Sequence, residues 1–331
     1  MNRVCDVVLT FIVLVSAAPP AAEWQTTTEE LLRAEKPGFG GLCGVVVDRQ
    51  SGEVIVNLSD LGFFRSTDQG KSWKRLGAEL KGRTEWPGCL QLDPTGKTKA
   101  IASALVYGSP IVSSADRDGT WAAMDKKSSH VDWFAFDWTD LDHKFVLTLK
   151  HESGGLLLAS RDGGKTFDEV GKGYGPAWIF DAQTAVVAEA KSKDRPKPGL
   201  LRTSDGGKTF KPCGHWSATA LPKWRDSALY WLVDGALIIS KDKGETWEKR
   251  CDLKDGRCGP IFGKDAKHLL VLTGTEIVES TDGGATWPVK IVLPKDLKGV
   301  SPLTWMEYDP SHDVVYVMKM GSQLFKLERG K

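Results

Sequence analysis

Short apolar runs that each end in an aspartate recur along the whole chain. The aspartates are 39 to 45 residues apart and stand at Asp48, Asp93, Asp137, Asp181, Asp226, Asp265 and Asp309. After each run come a turn and further short apolar stretches, which is typical of about four strands per repeat. A fixed period of this length indicates a repeat architecture. Seven such repeats predict an all-β fold, a seven-bladed β-propeller that forms a single domain over residues 23–331.

A second pattern, the octet Ser-x-Asp-x-Gly-x-Thr-Trp, follows each of the first six aspartates. Its copies are residues 66–73, 160–167, 203–210, 240–247 and 280–287, with a degenerate copy at 114–121. In such a turn the carboxylate can accept backbone N–H bonds, the hydroxyls add local bonds, and glycine takes a conformation that other residues resist. We therefore predict that the octets hold hairpins together, since a catalytic role would not need six equivalent copies.

These octets resemble the Asp-box, or BNR, repeats of the sialidase-like β-propellers. Xyloglucanases, the sortilin ectodomain and the photosystem II assembly factor are similar in repeat form, so the resemblance implies a fold and leaves the activity open. Sialidases also carry an Arg-Ile-Pro signature and a tyrosine nucleophile. The chain has no Arg-Ile-Pro, and none of its five tyrosines can be assigned that role, which argues against sialidase activity.

The last repeat has no octet and lacks an outer strand. Residues 23–28 are rich in strand-forming types and could supply that strand, which would join the two ends of the chain. The pattern Thr27-x-x-Glu30, followed by two leucines, predicts a capping box that starts a short helix.

Residues 1–22 have the features of a secretory signal peptide: a basic start, an apolar run and then small residues. We therefore expect a secreted or periplasmic protein with no membrane anchor after cleavage. Five cysteines follow, and a disulfide between Cys251 and Cys258 is the favoured pairing, with Cys213 as a competing partner and buried thiols as the alternative.

Composition narrows the classes of function. The 44 basic and 43 acidic residues nearly cancel, which argues against a nucleic-acid partner. No CxxC or HExxH motif occurs and the six histidines are scattered, so neither a metal site nor a cofactor is predicted.

Propellers that this chain resembles bind ligands at the end of the central channel where the innermost strands begin. The candidate ligand-binding residues near those starts are Arg83, Glu85, Trp86, His130, Asp132, Trp133, Trp224, Trp305 and Glu307. Of the aromatics, Trp133, Trp224 and Trp305 stand at even distances from the strand-ending aspartates and could share an orientation. Their rings would either stack against sugars or fill the space between blades.

Two functions are compatible with these residues. The first is a monomeric binding or scaffolding module for a glycan or for an envelope or extracellular protein. The alternative is a carbohydrate-active enzyme, a glycoside hydrolase or polysaccharide lyase, that uses Glu85, Asp132 and Glu307 in the funnel. A basic loop at residues 191–198 is either an ordinary solvated loop or a grip on an acidic glycan or partner.

Overall fold

Seven antiparallel sheets of four strands each form a β-propeller, as the repeat spacing predicts. The computed structural model describes residues 23–77, 80–117, 120–140 and 142–329. The predicted signal peptide, residues 1–22, lies outside the described residues. Within the described part of the chain, no helix is long and apolar enough to cross a bilayer.

The first half of the described chain forms one short strand, one helix and four complete blades. The strand is β1 (Gln25–Thr26) and the helix is α1 (Glu29–Glu35). Blade 1 contains β2 (Leu42–Val47), β3 (Val54–Leu58), β4 (Phe63–Ser66) and β5 (Lys74–Leu76). Blade 2 contains β6 (Leu90–Leu92), β7 (Ile101–Ser103), β8 (Val112–Ser114) and β9 (Ala122–Ala123). Blade 3 contains β10 (Val131–Phe136), β11 (Val146–Lys150), β12 (Leu157–Ser160) and β13 (Asp168–Gly171). Blade 4 contains β14 (Tyr174–Ile179), β15 (Ala185–Glu189), β16 (Leu200–Thr203) and β17 (Lys211–Gly214).

The second half completes the ring. Blade 5 contains β18 (Lys223–Arg225), β19 (Ala228–Val233), β20 (Ala236–Ser240) and β21 (Glu248–Asp252). Blade 6 contains β22 (Gly256–Phe262), β23 (Leu269–Thr273), β24 (Glu276–Ser280) and β25 (Val289–Val292). Blade 7 contains β26 (Thr304–Asp309), β27 (Val314–Lys319) and β28 (Phe325–Glu328), with β1 as its fourth strand. Three 3-10 turns lie at Ser59–Leu61, Lys126–Ser128 and Lys295–Leu297.

The hydrophobic core lies between the blades. Every residue of β2, β3, β19 and β20 is buried, because the inner strands of each sheet are covered on both faces by neighbouring blades. The outermost strand β21 is mostly exposed. This explains why the inner strands are continuous apolar runs and the outer ones are polar.

The strand predicted from the N-terminal segment is confirmed. Strand β1 pairs antiparallel with β28, so that Gln25 lies opposite Lys326 and Thr26 opposite Phe325. The indole N–H of Trp24 also donates to the carbonyl of Val292 in blade 6, at 2.8 Å. The first and last parts of the described chain therefore close the ring together.

The predicted capping box is wrong, although a helix does follow. Helix α1 begins at Glu29 after Thr28, and no side chain caps it. The Thr27 hydroxyl donates to the carbonyl of Leu324, and the Thr28 hydroxyl donates to Oε1 of Gln323. Contacts with blade 7 thus occupy both hydroxyls that could have capped the helix.

The octets connect the third and fourth strands of their blades and bond as predicted. In blade 3 the Ser160 hydroxyl donates to Asp162 at 2.8 Å, while the backbone N–H and hydroxyl of Thr166 donate to the same carboxylate at 3.0 and 2.6 Å. Gly164 has φ +78, and a Cβ there would lie 2.5 Å from Sδ of Met124. The same pattern of bonds centres on Asp68, Asp205, Asp242 and Asp282.

The degenerate octet of blade 2 carries a buried arginine. Arg117 is 4% exposed and its Nη1 lies 2.5 Å from Asp48 and 3.0 Å from Glu53 of blade 1. Residues 118 and 119 lie outside the described residues. This octet therefore ties two blades together by an ion pair.

The disulfide favoured between Cys251 and Cys258 does not form. All five cysteines of the described chain, at positions 43, 89, 213, 251 and 258, are free thiols. Cys251 lies on the outermost strand of blade 5, whereas Cys258 is buried on the innermost strand of blade 6. The intervening segment crosses the width of the sheet, so closeness in sequence does not bring the two sulfurs together.

Candidate functional site

Exposed aromatic side chains gather at the end of the channel where the innermost strands begin. We call this surface the mouth and define it by Phe39, Arg83, Glu85, Trp86, Tyr107, His130, Asp132 and His151. Five large hydrophobic side chains are exposed in the described chain. Three of them are at the mouth: Phe39 is 78% exposed, Tyr107 55% and Trp86 39%. The other two, Val289 and Val292, lie on the outermost strand of blade 6.

Arg83 organises the aromatic part of the mouth. Its guanidinium carbon lies 5.0 Å from the ring centre of Phe39 and 4.7 Å from that of Tyr107. Its Nη2 also forms an ion pair with Oε1 of Glu85 at 2.6 Å. Because the ion pair and the two rings act on the same planar group, they fix the position of the arginine.

A histidine and two carboxylates lie beside this arginine. Nδ1 of His151 is 2.5 Å from Oδ1 of Asp132 and 4.0 Å from Oε2 of Glu85. Burial raises the pKa of Asp132, and the bond to His151 opposes that rise. The ring of His130 is 4.9 Å from that of His151, and burial together with His151 lowers the pKa of His130. Acidic, basic and titrating groups thus meet in one small area.

The backbone at the mouth is held in an unfavourable region. Tyr107, His130 and Glu152 have φ values of +57, +58 and +51. Residues other than glycine rarely adopt this left-handed backbone conformation. It costs of order 1–3 kcal/mol per residue and is often found at functional sites.

Two overlapping groups at the mouth could supply metal ligands. One comprises Glu85, Asp132 and His151, and the other His130, His151 and Glu152; within each group the ligand atoms lie within 4.8 Å of one another. In the first group, however, Arg83 already neutralises Glu85. That pair competes with a cation for the carboxylate.

Two of the predicted tryptophans do not present a ring to a ligand. Trp133 is 3% exposed and packs in the core between blades 3 and 4, and Trp305 is 1% exposed. The indole N–H of Trp305 donates to the backbone carbonyl of Glu85 at 3.2 Å. Both rings fill space between blades, which is the second of the two alternatives that the sequence left open for them.

Trp224 and Glu307 lie elsewhere, in a cavity of about 230 Å³ within the central channel. All seven blades line it, and none of the residues that define the mouth does. The ring of Trp224 is nearly parallel to that of Trp178, at 12° and 6.1 Å between centres. Burial raises the pKa of Glu307 to about 7, and the positive charges of Lys223 and Arg49 oppose that rise.

The basic loop lies between β15 and β16, which places it on the same side of blade 4 as the mouth. Arg195 forms an ion pair with Glu189 at 3.2 Å, and its Nη1 donates to the carbonyl of Gly173. One of the four cations of the loop is therefore used to hold the loop itself.

Sequence reasoning found part of each site. It identified Arg83, Glu85, Trp86, His130 and Asp132, which the fold brings together at the mouth, but missed Phe39, Tyr107 and His151. The position of His151 could have been predicted from the sequence. It directly follows β11, and the end of that strand pairs with the start of β10, next to His130. The channel cation Arg49 likewise follows the first strand-ending aspartate.

Comparison with known proteins supports the fold. A family model described as "BNR/Asp-box repeat" matches residues 64–75, the first octet and its flanks. No curated protein sequence matches the chain.

Many solved structures share the architecture. YCF48 bound to D1 peptide is 12% identical with a TM-score of 0.53, over 96% of this chain and 99% of that chain. YCF48 from Cyanidioschyzon merolae is 11% identical with a TM-score of 0.51, over 92% and 98%. The Cps50 (Swd1) propeller domain from Myceliophteria thermophila is 9% identical with a TM-score of 0.58, over 89% and 98%. At these identities the likeness concerns the fold alone.

Proposed function

We propose that this protein is a secreted binding module that holds a segment of another exported protein at the mouth. The observation that carries the proposal is the grouping of Phe39, Tyr107 and Trp86 at one end of the channel. Soluble monomers rarely expose neighbouring large apolar side chains without a partner to cover them. The export signal predicted at residues 1–22 sets the compartment in which that partner would be met.

The chemistry of the mouth suits a polypeptide. Aromatic rings around a fixed arginine are the residue types that dominate binding energy in protein interfaces. The carboxylates of Glu85 and Asp132, largely buried beside these rings, can accept hydrogen bonds from backbone or side-chain donors of a bound segment. A structural relative, YCF48, has been solved with a bound peptide. That structure supports a peptide as the kind of ligand, and it gives no information about the sequence of a peptide that this protein would bind.

The carbohydrate-active alternative has less support from the geometry. Glu85 and Asp132 both lie beside His151 at the mouth, whereas Glu307 lines the channel cavity, which neither of the other two lines. The three carboxylates suggested for such an enzyme therefore do not form one site.

A displayed library of random peptides tests the proposal with the chain from residue 23 to 331. We expect enrichment of peptides with an aromatic or apolar anchor, and about tenfold weaker binding of the enriched peptides by a Phe39→Ser, Tyr107→Ser variant. The matched control, Val289→Ser, Val292→Ser, removes two other exposed apolar side chains, from blade 6, and should bind as the wild type does.

Two results would contradict the proposal. Equal peptide binding by the mouth variant and the wild type would place the site elsewhere. Selective binding on a glycan array, with no peptide enriched, would favour a carbohydrate ligand.

A further inference from the structure

The channel cavity is lined by charged side chains, and some of them form no direct ion pair. Its charged lining residues are Asp48, Arg49, Asp93, Arg117, Lys223, Arg225 and Glu307. Four of them have partners. Asp48 pairs with Arg117 at 2.5 Å, Asp93 accepts bonds from the hydroxyls of two threonines of its own turn, and Arg225 lies 3.3 Å from Asp226.

The other three charged residues of the cavity lining are Arg49, Lys223 and Glu307. Among the described residues, no ion pair joins any of the three to an opposite charge within 4.0 Å. Nη2 of Arg49 donates to the carbonyl of Gly263, but its buried Nε has no hydrogen-bond partner. Two cations and one carboxylate thus line a shared cavity without direct contact. The three side chains are partly buried, and an unpaired charge withdrawn from water carries a desolvation cost, which makes a bound group of complementary charge favourable here.

The shape and walls of the cavity limit what could bind. At about 230 Å³ it is smaller than the pockets that take drug-sized molecules, and it suits a single substituted ring. Trp224 and Trp178 both line the cavity, with their rings nearly parallel. An aromatic wall of this kind packs well against the apolar face of a sugar or of another flat ring.

The polar groups decide between these ring types. Two cations call for an anionic substituent, which a neutral sugar lacks. The Glu307 carboxylate calls for hydrogen-bond donors, which ring hydroxyls supply and a plain aromatic acid does not. We propose that the channel cavity binds a carboxylated monosaccharide of the hexuronic acid class. Arg49 and Lys223 hold its carboxylate, Glu307 accepts from its hydroxyls, and Trp224 covers its ring.

Titration calorimetry with glucuronate tests the assignment, with glucose and benzoate as the two half-matched probes. Saturable binding of glucuronate is expected, at least tenfold tighter than that of either comparison molecule. Lys223→Met should weaken glucuronate binding about tenfold because it removes one of the two cations. The control Lys208→Met removes an exposed lysine outside the cavity and should change nothing.

A second variant distinguishes loss of the binding site from a folding defect in Lys223→Met. Glu307→Gln keeps the shape of the side chain and removes the charged acceptor, so it should lower the preference for glucuronate over benzoate about tenfold. Equal binding of glucose and glucuronate, unchanged binding in both cavity variants, or no saturable binding at millimolar concentrations would overturn the proposal. The mouth variant Phe39→Ser, Tyr107→Ser should bind glucuronate as the wild type does. The test of the channel cavity is therefore independent of the test of the peptide site.

Discussion

Gln25 lies directly opposite Lys326, in the antiparallel pairing of β1 with β28. The two residues come from opposite ends of the described chain, and their pairing gives blade 7 its fourth strand. Without it, β28 would present an unpaired edge to solvent.

Removal of the closing strand should destabilise the whole propeller. A chain that begins at Thr28 loses β1, the Trp24 bond to Val292 and the bond from the Thr27 N–H to Leu324. At about 1 kcal/mol per bond we expect a loss of roughly 4 kcal/mol and a fall in melting temperature of about 10 °C. A chain that begins at Trp24, which lacks only exposed Glu23, is the control. Equal melting of the two chains would show that closure contributes little.

The same strand restricts where the predicted signal peptide is cleaved. Because β1 begins at Gln25, a cleaved chain must keep that residue to close the ring. If residues 1–22 are removed on export as proposed, N-terminal sequencing should therefore find a start at or before Gln25, and a start beyond Thr26 would leave β28 without its partner strand.

An Asp-box carboxylate should contribute measurably to the free energy of unfolding. Asp162→Ala removes the bonds from Ser160 and from the backbone and hydroxyl of Thr166. We expect a loss of about 1–2 kcal/mol, or a few degrees in melting temperature. The exposed Asp194, in the basic loop, gives the matched control Asp194→Ala. Identical thermal unfolding of both variants would contradict a structural role for the box.

Acid should weaken the same turn. The hydroxyl and backbone bonds from Thr166 lower the pKa of Asp162 to about 2, from an ordinary value of 3.8. Because the folded pKa is the lower one, this stabilisation is complete above the ordinary value and is lost as the pH falls towards 2. The wild type should therefore lose more stability than Asp162→Ala over that interval, as followed by urea unfolding.

Glu307 should make stability depend on pH in the opposite direction. Burial raises its pKa to about 7 from an ordinary value of 4.5, so the folded protein keeps a proton that the unfolded chain releases between these values. The free energy of unfolding therefore falls as the pH rises through this interval. The Glu307→Gln variant has no carboxyl group to titrate at this position. Its free energy of unfolding should exceed that of the wild type at about pH 8 and be nearly equal to it at about pH 4.5. Glu169→Gln, at an exposed site, is the control, and an equal gain at both pH values would contradict the explanation.

The buried cysteines should be unreactive in the native protein. Burial raises the pKa of Cys43 and of Cys89 to about 12 and that of Cys258 to about 11, and the thiolate is the reactive form. Iodoacetamide followed by mass spectrometry should leave these three unmodified until the protein is denatured. After denaturation without reductant, all five cysteines that follow residue 22 should be alkylated. A protected Cys251–Cys258 pair would instead indicate a disulfide.

The site could be predicted only in part because its members come from separate blades. Arg83, Glu85 and Trp86 are neighbours in sequence, and the approach to an innermost strand is a recognisable position. Phe39 lies in the turn before β2 of blade 1 and Tyr107 in the loop after β7 of blade 2, and their contact with Arg83 depends on how these loops meet. A tryptophan near a strand start looks the same in sequence whether it is buried, as Trp133 is, or lines the channel, as Trp224 does.

The sequence alone determined the number of blades, the place of the Asp boxes and the strand that closes the ring. These features depend on local periodicity and turn chemistry, which each repeat carries within itself. The tertiary structure decided which thiols stay apart, which tryptophans are buried, and that Arg49, Lys223 and Glu307 line one cavity. Those features depend on distances across the ring between residues from different blades, and no spacing along the chain encodes them.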